Sequence, residues 1–440
     1  MTAPAGPPLP SASSAQIAAA VLAACDARRE ETVDLLARLV AIPSTGGSPA
    51  ECEVQHVVAG VLHDDGFDVE VWALDLDELT DDPDFPGMEA ERREAYGVVA
   101  TLAGHAPDLG RSLLVDGHTD VVPSGDLGQW TGDPYELRHV TREGRDLLLG
   151  RGTCDMKAGL VAAIVAARAV RAAGVRLAGD LLIAPVVGEE DGGLGTFALL
   201  RHGVVADACL VPEPTDLDLV PANGGALTFR LRVPGRATHA SRRTEGVSAI
   251  EKLVPLLAAL SELEARRNID VHPLVRRWPV AYPISVGTLR AGDWASTVPD
   301  LCVAEGRLGV ALDETPAQAR AALEAAVAAA CSADPWLRGH PATVEWWGGQ
   351  FASGRSDDPD LLERIVRAHH LAAPGSRPPE TYGAPYGSDL RLLAPHLPTV
   401  QFGPGDTRDA HAPDEAVPAA QLHEATRTIA LLYLAHCGVL

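Results

Sequence analysis

The chain has 440 residues, 46% of them hydrophobic and 22% charged, and carries a formal net charge of −24. That length exceeds what one hydrophobic core usually supports, so two domains are expected, and so acidic a surface speaks against nucleic acid or an anionic membrane as partner. The seven cysteines are scattered, odd in number and without a Cys-x-x-Cys pair, which argues against a disulfide framework or a thiolate zinc site and fits a reduced, cytoplasmic protein.

Residues 1 to 14 read as a disordered lead-in, because no basic stretch precedes an apolar one as a signal peptide requires. Later apolar stretches are interrupted by Arg, Asp or Gly well short of the ~20 residues of a membrane span. From 15 to 40 apolar residues recur at helical spacing (Ile17, Val21, Leu22, then Val33, Leu36, Leu39, Val40). A second amphipathic helix is expected over 51 to 63, and Phe67 to Trp72 alternates as a strand. Asp81 to Glu94 is polar and reads as a surface insertion. Tyr96 to Leu102 and Ser112 to Val115 are strand-like, and Leu160 to Ala173 is an Ala-rich helix closed by Gly174. Leu181 to Val187 and Ala208 to Val211 are short apolar runs suited to buried strands. Strands alternating with helices predict an α/β layered domain.

The character changes after Pro214. Ala226 to Val233 alternates as a half-exposed strand, Val247 to Arg266 is a helix, Ile284 to Leu289 and Cys302 to Val310 are strands, and Pro316 to Ala330 is a helix. This β-α-β-β-α order predicts a small α+β open-faced sandwich. From about 350 the first style resumes and ends on a helix over 419 to 436. The expected division is a discontinuous domain of 15–216 with 336–440, and an insert of 217–335.

Five stretches place acidic or histidine residues in turns at the ends of apolar runs: VDGHTDVVP (115–123), RGTCDMKAG (151–159), VGEEDGG (187–193), VPEPT (211–215) and DAHAPDE (409–415). Metal-assisted hydrolysis needs imidazole nitrogen and carboxylate oxygen, with a position left for water. In His118-x-Asp120 both side chains fall on one side of an extended chain, so one can ligate while the other orients the imidazole. Asp155 opens a helix, where a carboxylate serves as cap or as ligand. Its neighbour Cys154 has no histidine close in sequence to act as a base. The adjacent Glu189 and Glu190 point to opposite sides of an extended backbone, which suits one to bind metal and the other to act as general base. Glu213 lies between two prolines after a strand, and His411 follows the glycine-rich FGPGD (402–406). Taken singly, each has an ordinary structural explanation; their shared position at the ends of apolar runs sets them apart.

In that order, from roughly residue 30 to the C-terminus, these motifs resemble the dinuclear zinc aminoacylase/carboxypeptidase family of metallopeptidases. That group includes acetylornithine deacetylase, succinyl-diaminopimelate desuccinylase and carboxypeptidase G. The resemblance implies a zinc-peptidase-like α/β/α catalytic domain, with the insert as lid and dimerisation domain of a homodimer. It implies two Zn2+ per subunit, or Co2+ or Mn2+, bridged by Asp155. His118 and Glu213 would complete one metal, Glu190 and His411 the other. Glu189 would be the general base and Asp120 the group orienting His118. His239, in GRATHAS, would reach the partner's site and polarise the scissile carbonyl. Arg307 would clamp a substrate carboxylate, and Gly387 and Ser388 of YGSDLR (386–391) would line the substrate. Ser296-Thr297-Val298-Pro299 departs from the family's Asn-x-x-Pro. WALDLDELTDDPDF (72–85), YGSDLR and FGPGD resemble acetylornithine-deacetylase-like members and a related pyrimidine N-deformylase. The expected function is removal of an acyl group from an N-acyl amino acid or similar small molecule. The alternatives are a dipeptidase or carboxypeptidase, a pyrimidine N-deformylase, and a non-catalytic binding or scaffold homologue.

Overall fold

A computed structural model describes residues 12–440. Of the lead-in expected over 1–14, residues 1–11 lie outside the described residues, and 12–14 open the helix Ala12–Asp26. The helical periodicity of 15 to 40 resolves into two helices, Ala12–Asp26 and Arg29–Val40.

The large domain is built on a nine-stranded mixed sheet. Its spatial order is Asp68–Ala73, Tyr96–Leu102, Leu181–Val186, Leu113–His118, Ala208–Val211, Thr399–Gln401, Leu219–Asn223 and Gly354–Arg355, with Thr381–Ala384 also paired to Leu219–Asn223. The four central strands, from Leu181–Val186 to Thr399–Gln401, run parallel. Successive residues of these strands face opposite layers, as the period of two dictates. Val115, Ile183 and Leu210 pack under helices that include Lys157–Ala172 and Ala419–Cys437. Leu114, Leu182 and Cys209 meet Leu199 and Leu393 on the other face. The result is an α/β/α sandwich. Because both faces are covered, the strands read as unbroken apolar runs.

The small domain is a four-stranded antiparallel sheet, in order Ile284–Ala291, Leu301–Val310, Gly225–Pro234 and Thr343–Phe351. The helix Ala249–Arg267 lays Leu253, Leu256, Leu260 and Leu263 on the inward residues Leu227, Phe229, Leu231 and Val233. Each such buried side chain contributes about 1.5–3 kcal/mol relative to exposure. The sheets change over later than the expected boundaries of 217 and 335. Leu219–Asn223 still belongs to the large sheet, and Thr343–Phe351 supplies an edge strand to the small one. That edge strand escapes a periodicity reading because Gly348 and Gly349 interrupt it, and its register against Gly225–Pro234 shifts there.

The segment 81–94 is not a free surface insertion. Arg92 is 9% exposed and is bonded to Glu51 at 2.8 and 2.9 Å and to Asp191 at 2.9 Å. Upstream, Pro86 O accepts from Gln350 N at 2.9 Å, which ties the segment to the lid's edge strand. Acidic composition hid this, because nothing local marks one arginine of Glu91-Arg92-Arg93-Glu94 as buried.

Candidate metal centre

The central strands end together, and in an open α/β sheet ligands gather at the carboxyl ends of parallel strands. His118 closes one strand, in register with Val186 of the next. Glu189 and Glu190 follow Val186, Glu213 follows Val211, and the FGPGD loop that leads to His411 follows Gln401. Asp155 arrives from the side, just before the helix Lys157–Ala172. Gly159 makes that approach possible, because a Cβ there would overlap the carbonyl of Pro212, next to Glu213.

Asp155 divides its carboxylate between two imidazoles. Oδ1 lies 3.0 Å from His118 Nε2 and Oδ2 lies 3.3 Å from His411 Nε2. Glu213 Oε1 is 3.9 Å from His118 Nε2, and Glu190 Oε2 is 3.0 Å from His411 Nε2. The donor atoms of His118, Glu189 and Glu213, and those of His118, Asp155 and Glu190, each lie within 4.8 Å of one another.

The electrostatics of the cluster follow from its burial and its crowding of like charges. Burial alone would discharge His118, but its hydrogen bond to Asp155 and the charges of Glu213 and Asp120 hold it protonated well above the usual imidazole range. Hydrogen bonds to Asp155 and Glu190 push His411 up to about 11. Burial would raise Asp155 too, yet the two histidines keep it far below the ordinary carboxylate range. Burial pushes Glu189 and Glu213 upward, and neighbouring carboxylates add to it. Burial thus crowds two imidazoles and four carboxylates into one cluster, the imidazoles favouring their protonated forms. Two divalent cations would displace those protons, as metal binding to imidazole does. The donors are nitrogen and oxygen only; Cys154 beside them is a buried thiol pushed well upward by desolvation. This set fits hard or borderline divalent ions.

Asp120 acts differently from the expectation. His118 Nδ1 is met at 3.0 Å by the backbone carbonyl of Asp120, whereas the carboxylate is 3.8 Å away. The carboxylate instead accepts from the amides of Glu189 and Glu190, at 3.3 and 3.2 Å. It therefore fixes the backbone carrying both acids, a job that His-x-Asp spacing does not reveal. Glu415, which the sequence reading passed over, buttresses the Asp155 loop. Its carboxylate accepts from the amides of Cys154 and Asp155 at 2.9 and 3.0 Å and from Arg151 at 2.6 Å. Its place in the DAHAPDE motif was the available signal.

A cavity of about 640 Å³ opens onto the cluster. Asp155, Glu189, Glu190, Glu213 and His411 line it together with Glu89, Arg307, Phe351, Tyr386 and Gly387. Ser388 does not line it. That residue is 1% exposed, and its hydroxyl accepts from Leu390 N at the start of a helical turn. His239 is exposed on the lid, bonded to Ser241, and is not among the lining residues of its own chain's cavity. All seven cysteines are free and buried, and no described helix is long and apolar enough to cross a membrane.

Fold and site together define a metal-dependent hydrolase of amide bonds, with an α/β catalytic domain under a small lid. Residues 114–435 match the family described as Peptidase family M20/M25/M40, and the chain belongs to that family. The chain is similar to an N-formyl-4-amino-5-aminomethyl-2-methylpyrimidine deformylase of Bacillus subtilis, 27% identical over 93% of this chain and 95% of the relative. It is 32% identical to a succinyl-diaminopimelate desuccinylase of Gluconacetobacter diazotrophicus, over 71% of this chain and 79% of that one. Among solved structures, the dipeptidase Dug1p of Saccharomyces cerevisiae superposes with a TM-score of 0.75 at 16% identity, covering 96% and 98% of the two chains, a likeness of fold. The scaffold alternative required a residue of the expected set to be lost; His118, Asp155, Glu189, Glu190, Glu213 and His411 are all present and brought together, and the chain is an enzyme of this family.

Proposed function

We propose that this protein is a deformylase that hydrolyses the N-formyl amide of a small aminopyrimidine, yielding formate and the free amine. The observation that carries the substrate class is similarity along nearly the whole of both chains to the pyrimidine deformylase. It favours that alternative over the acetylornithine-like reading, and the desuccinylase likeness covers less of each chain. The cavity supports it chemically. Phe351 and Tyr386 provide aromatic walls against which a pyrimidine ring can stack.

Two divalent metal ions, zinc by the family resemblance and replaceable by cobalt or manganese, would polarise the formyl carbonyl and lower the pKa of a water when bound. Asp155 would bridge them, with His118 and Glu213 on one side and Glu190 and His411 on the other. Glu189 takes the proton of the attacking water, and its burial, which raises its carboxyl above the ordinary range, favours the protonated form that results. It then passes the proton to the leaving amine as the C–N bond breaks. Asp120 and Glu415 hold the acids and the Asp155 loop in place.

The test offers purified, zinc- or cobalt-loaded protein the N-formyl aminomethylpyrimidine and N-acetylornithine, and measures formate and acetate. Formate release that chelation abolishes and metal restores is expected. Acetate release without formate release would defeat the proposal.

A further inference from the structure

Arg307 is the only arginine or lysine among the residues lining the cavity. A guanidinium so placed is the natural receiver of an anionic substrate, because its planar fork matches a carboxylate bidentately. In this chain it already faces an anion. Glu89 Oε1 lies 3.3 Å from Arg307 Nη2, and also accepts from Thr228 Oγ1 at 2.8 Å and from Gly349 N at 3.3 Å.

Glu89 is not a loose surface charge that a ligand would push aside. Its own amide and that of Ala90 donate to Asp191 Oδ2 at 3.0 and 2.7 Å. Asp191 is in turn joined through Arg92 to Glu51. On the lid side, Gly348 at φ 59 leaves room for the glutamate, since a Cβ there would collide with its side chain. The segment thus delivers a fixed carboxylate from the catalytic domain onto a lid arginine. All of the described contacts of the Glu89 carboxylate fall on Oε1, so Oε2 keeps its lone pairs for a hydrogen-bond donor.

We propose that Glu89 is a specificity-determining residue: by occupying Arg307 it turns away N-acyl substrates that carry a carboxylate and admits amines that are uncharged or cationic. A substrate carboxylate would have to share one guanidinium with a like charge, and repulsion of this kind is how a site rejects a competitor. An amino substituent would instead find an acceptor. The nature of the admitted amine rests on the deformylase reading; the rejection of carboxylates does not.

The probes are the N-formyl aminomethylpyrimidine, N-formylglycine and N-acetylglycine, offered to the metal-loaded wild type and to Glu89→Ala. In the variant, kcat/KM on N-formylglycine should rise about tenfold or more, through KM rather than kcat, the scale of one charged hydrogen bond gained. Calorimetry should detect N-acetylglycine binding to the variant at concentrations where the wild type shows none. Activity on the pyrimidine should fall about tenfold. Adding Arg307→Ala must erase the gain. If Glu89→Ala fails to fold, Glu89→Gln must move both quantities in the same directions. The proposal is overturned by a folded, metal-replete variant with no gain in turnover or binding, by a gain that survives Arg307→Ala, or by a wild type that already takes N-formylglycine efficiently. A wild type inactive on the pyrimidine, beside a variant that binds N-acetylglycine, would sink the deformylase reading and leave the charge selection standing.

Discussion

Glu189 and Asp155 are both carboxylates in one buried cluster, yet their surroundings push them in opposite directions. Asp155 is held ionised by the histidines at its two oxygens, whereas burial and nearby carboxylates keep a proton on Glu189 to higher pH. The first environment suits a ligand shared by two cations and the second a group that carries protons. Glu189→Ala should therefore lower kcat about a thousandfold while the purified protein keeps two metals, and Asp155→Ala should lose both. Elemental analysis alongside kinetics checks this. Loss of one ion from Glu189→Ala would instead make it a ligand, which its proximity to His118 and Glu213 permits.

At the scale of elements, the segment 81–94 acts as a strap between sheet and lid. Its anchor is the buried Arg92 between Glu51 and Asp191. Removing one member of a buried ion pair leaves the others desolvated and uncompensated, which typically costs about 3–5 kcal/mol. Arg92→Ala should lose about that much in urea unfolding, and a loss indistinguishable from that of an exposed arginine would refute the strap. The strands of the central sheet were legible in sequence because burial on both faces leaves an unbroken apolar run. Ala208 to Val211 needed no adjustment at all. The strands Arg138–Arg142 and Arg145–Leu149 went unread, since charged residues dominate the exposed half of that hairpin; they pair with each other across Glu143 and Gly144, and Ala416–Pro418, far along the chain, adds a third strand.

At the scale of the whole molecule, the lid presents exposed Ile250, Val254 and Leu257 at i, i+4 and i+7 of one helix, and exposed Leu289 on the edge strand of its sheet. We propose that this surface pairs with another copy; His239 stands exposed on the same domain. If each subunit lends His239 to its partner's site, inactive His239→Ala and inactive Glu189→Ala chains, co-expressed, should recover about a quarter to a half of wild-type activity through mixed dimers with one intact site. Mixed dimers without activity would confine His239 to its own chain or to no catalytic role. The sequence by itself determined the candidate ligand types and their order, and placed His118, Glu189, Glu190 and Glu213 after strands, because each of these four follows a local apolar run whose period is readable residue by residue. Only the tertiary structure decided which oxygen of Asp155 meets which imidazole, that Asp120 turns its carbonyl and not its carboxylate to His118, and that Glu89 meets Arg307. Glu89 and Arg307 lie 218 positions apart, and at such separations pairing is set by how packed layers fit together, a property no local window of sequence contains; Asp120 and His118 are only two apart, and there the course of the backbone after the strand decides which oxygen faces the imidazole.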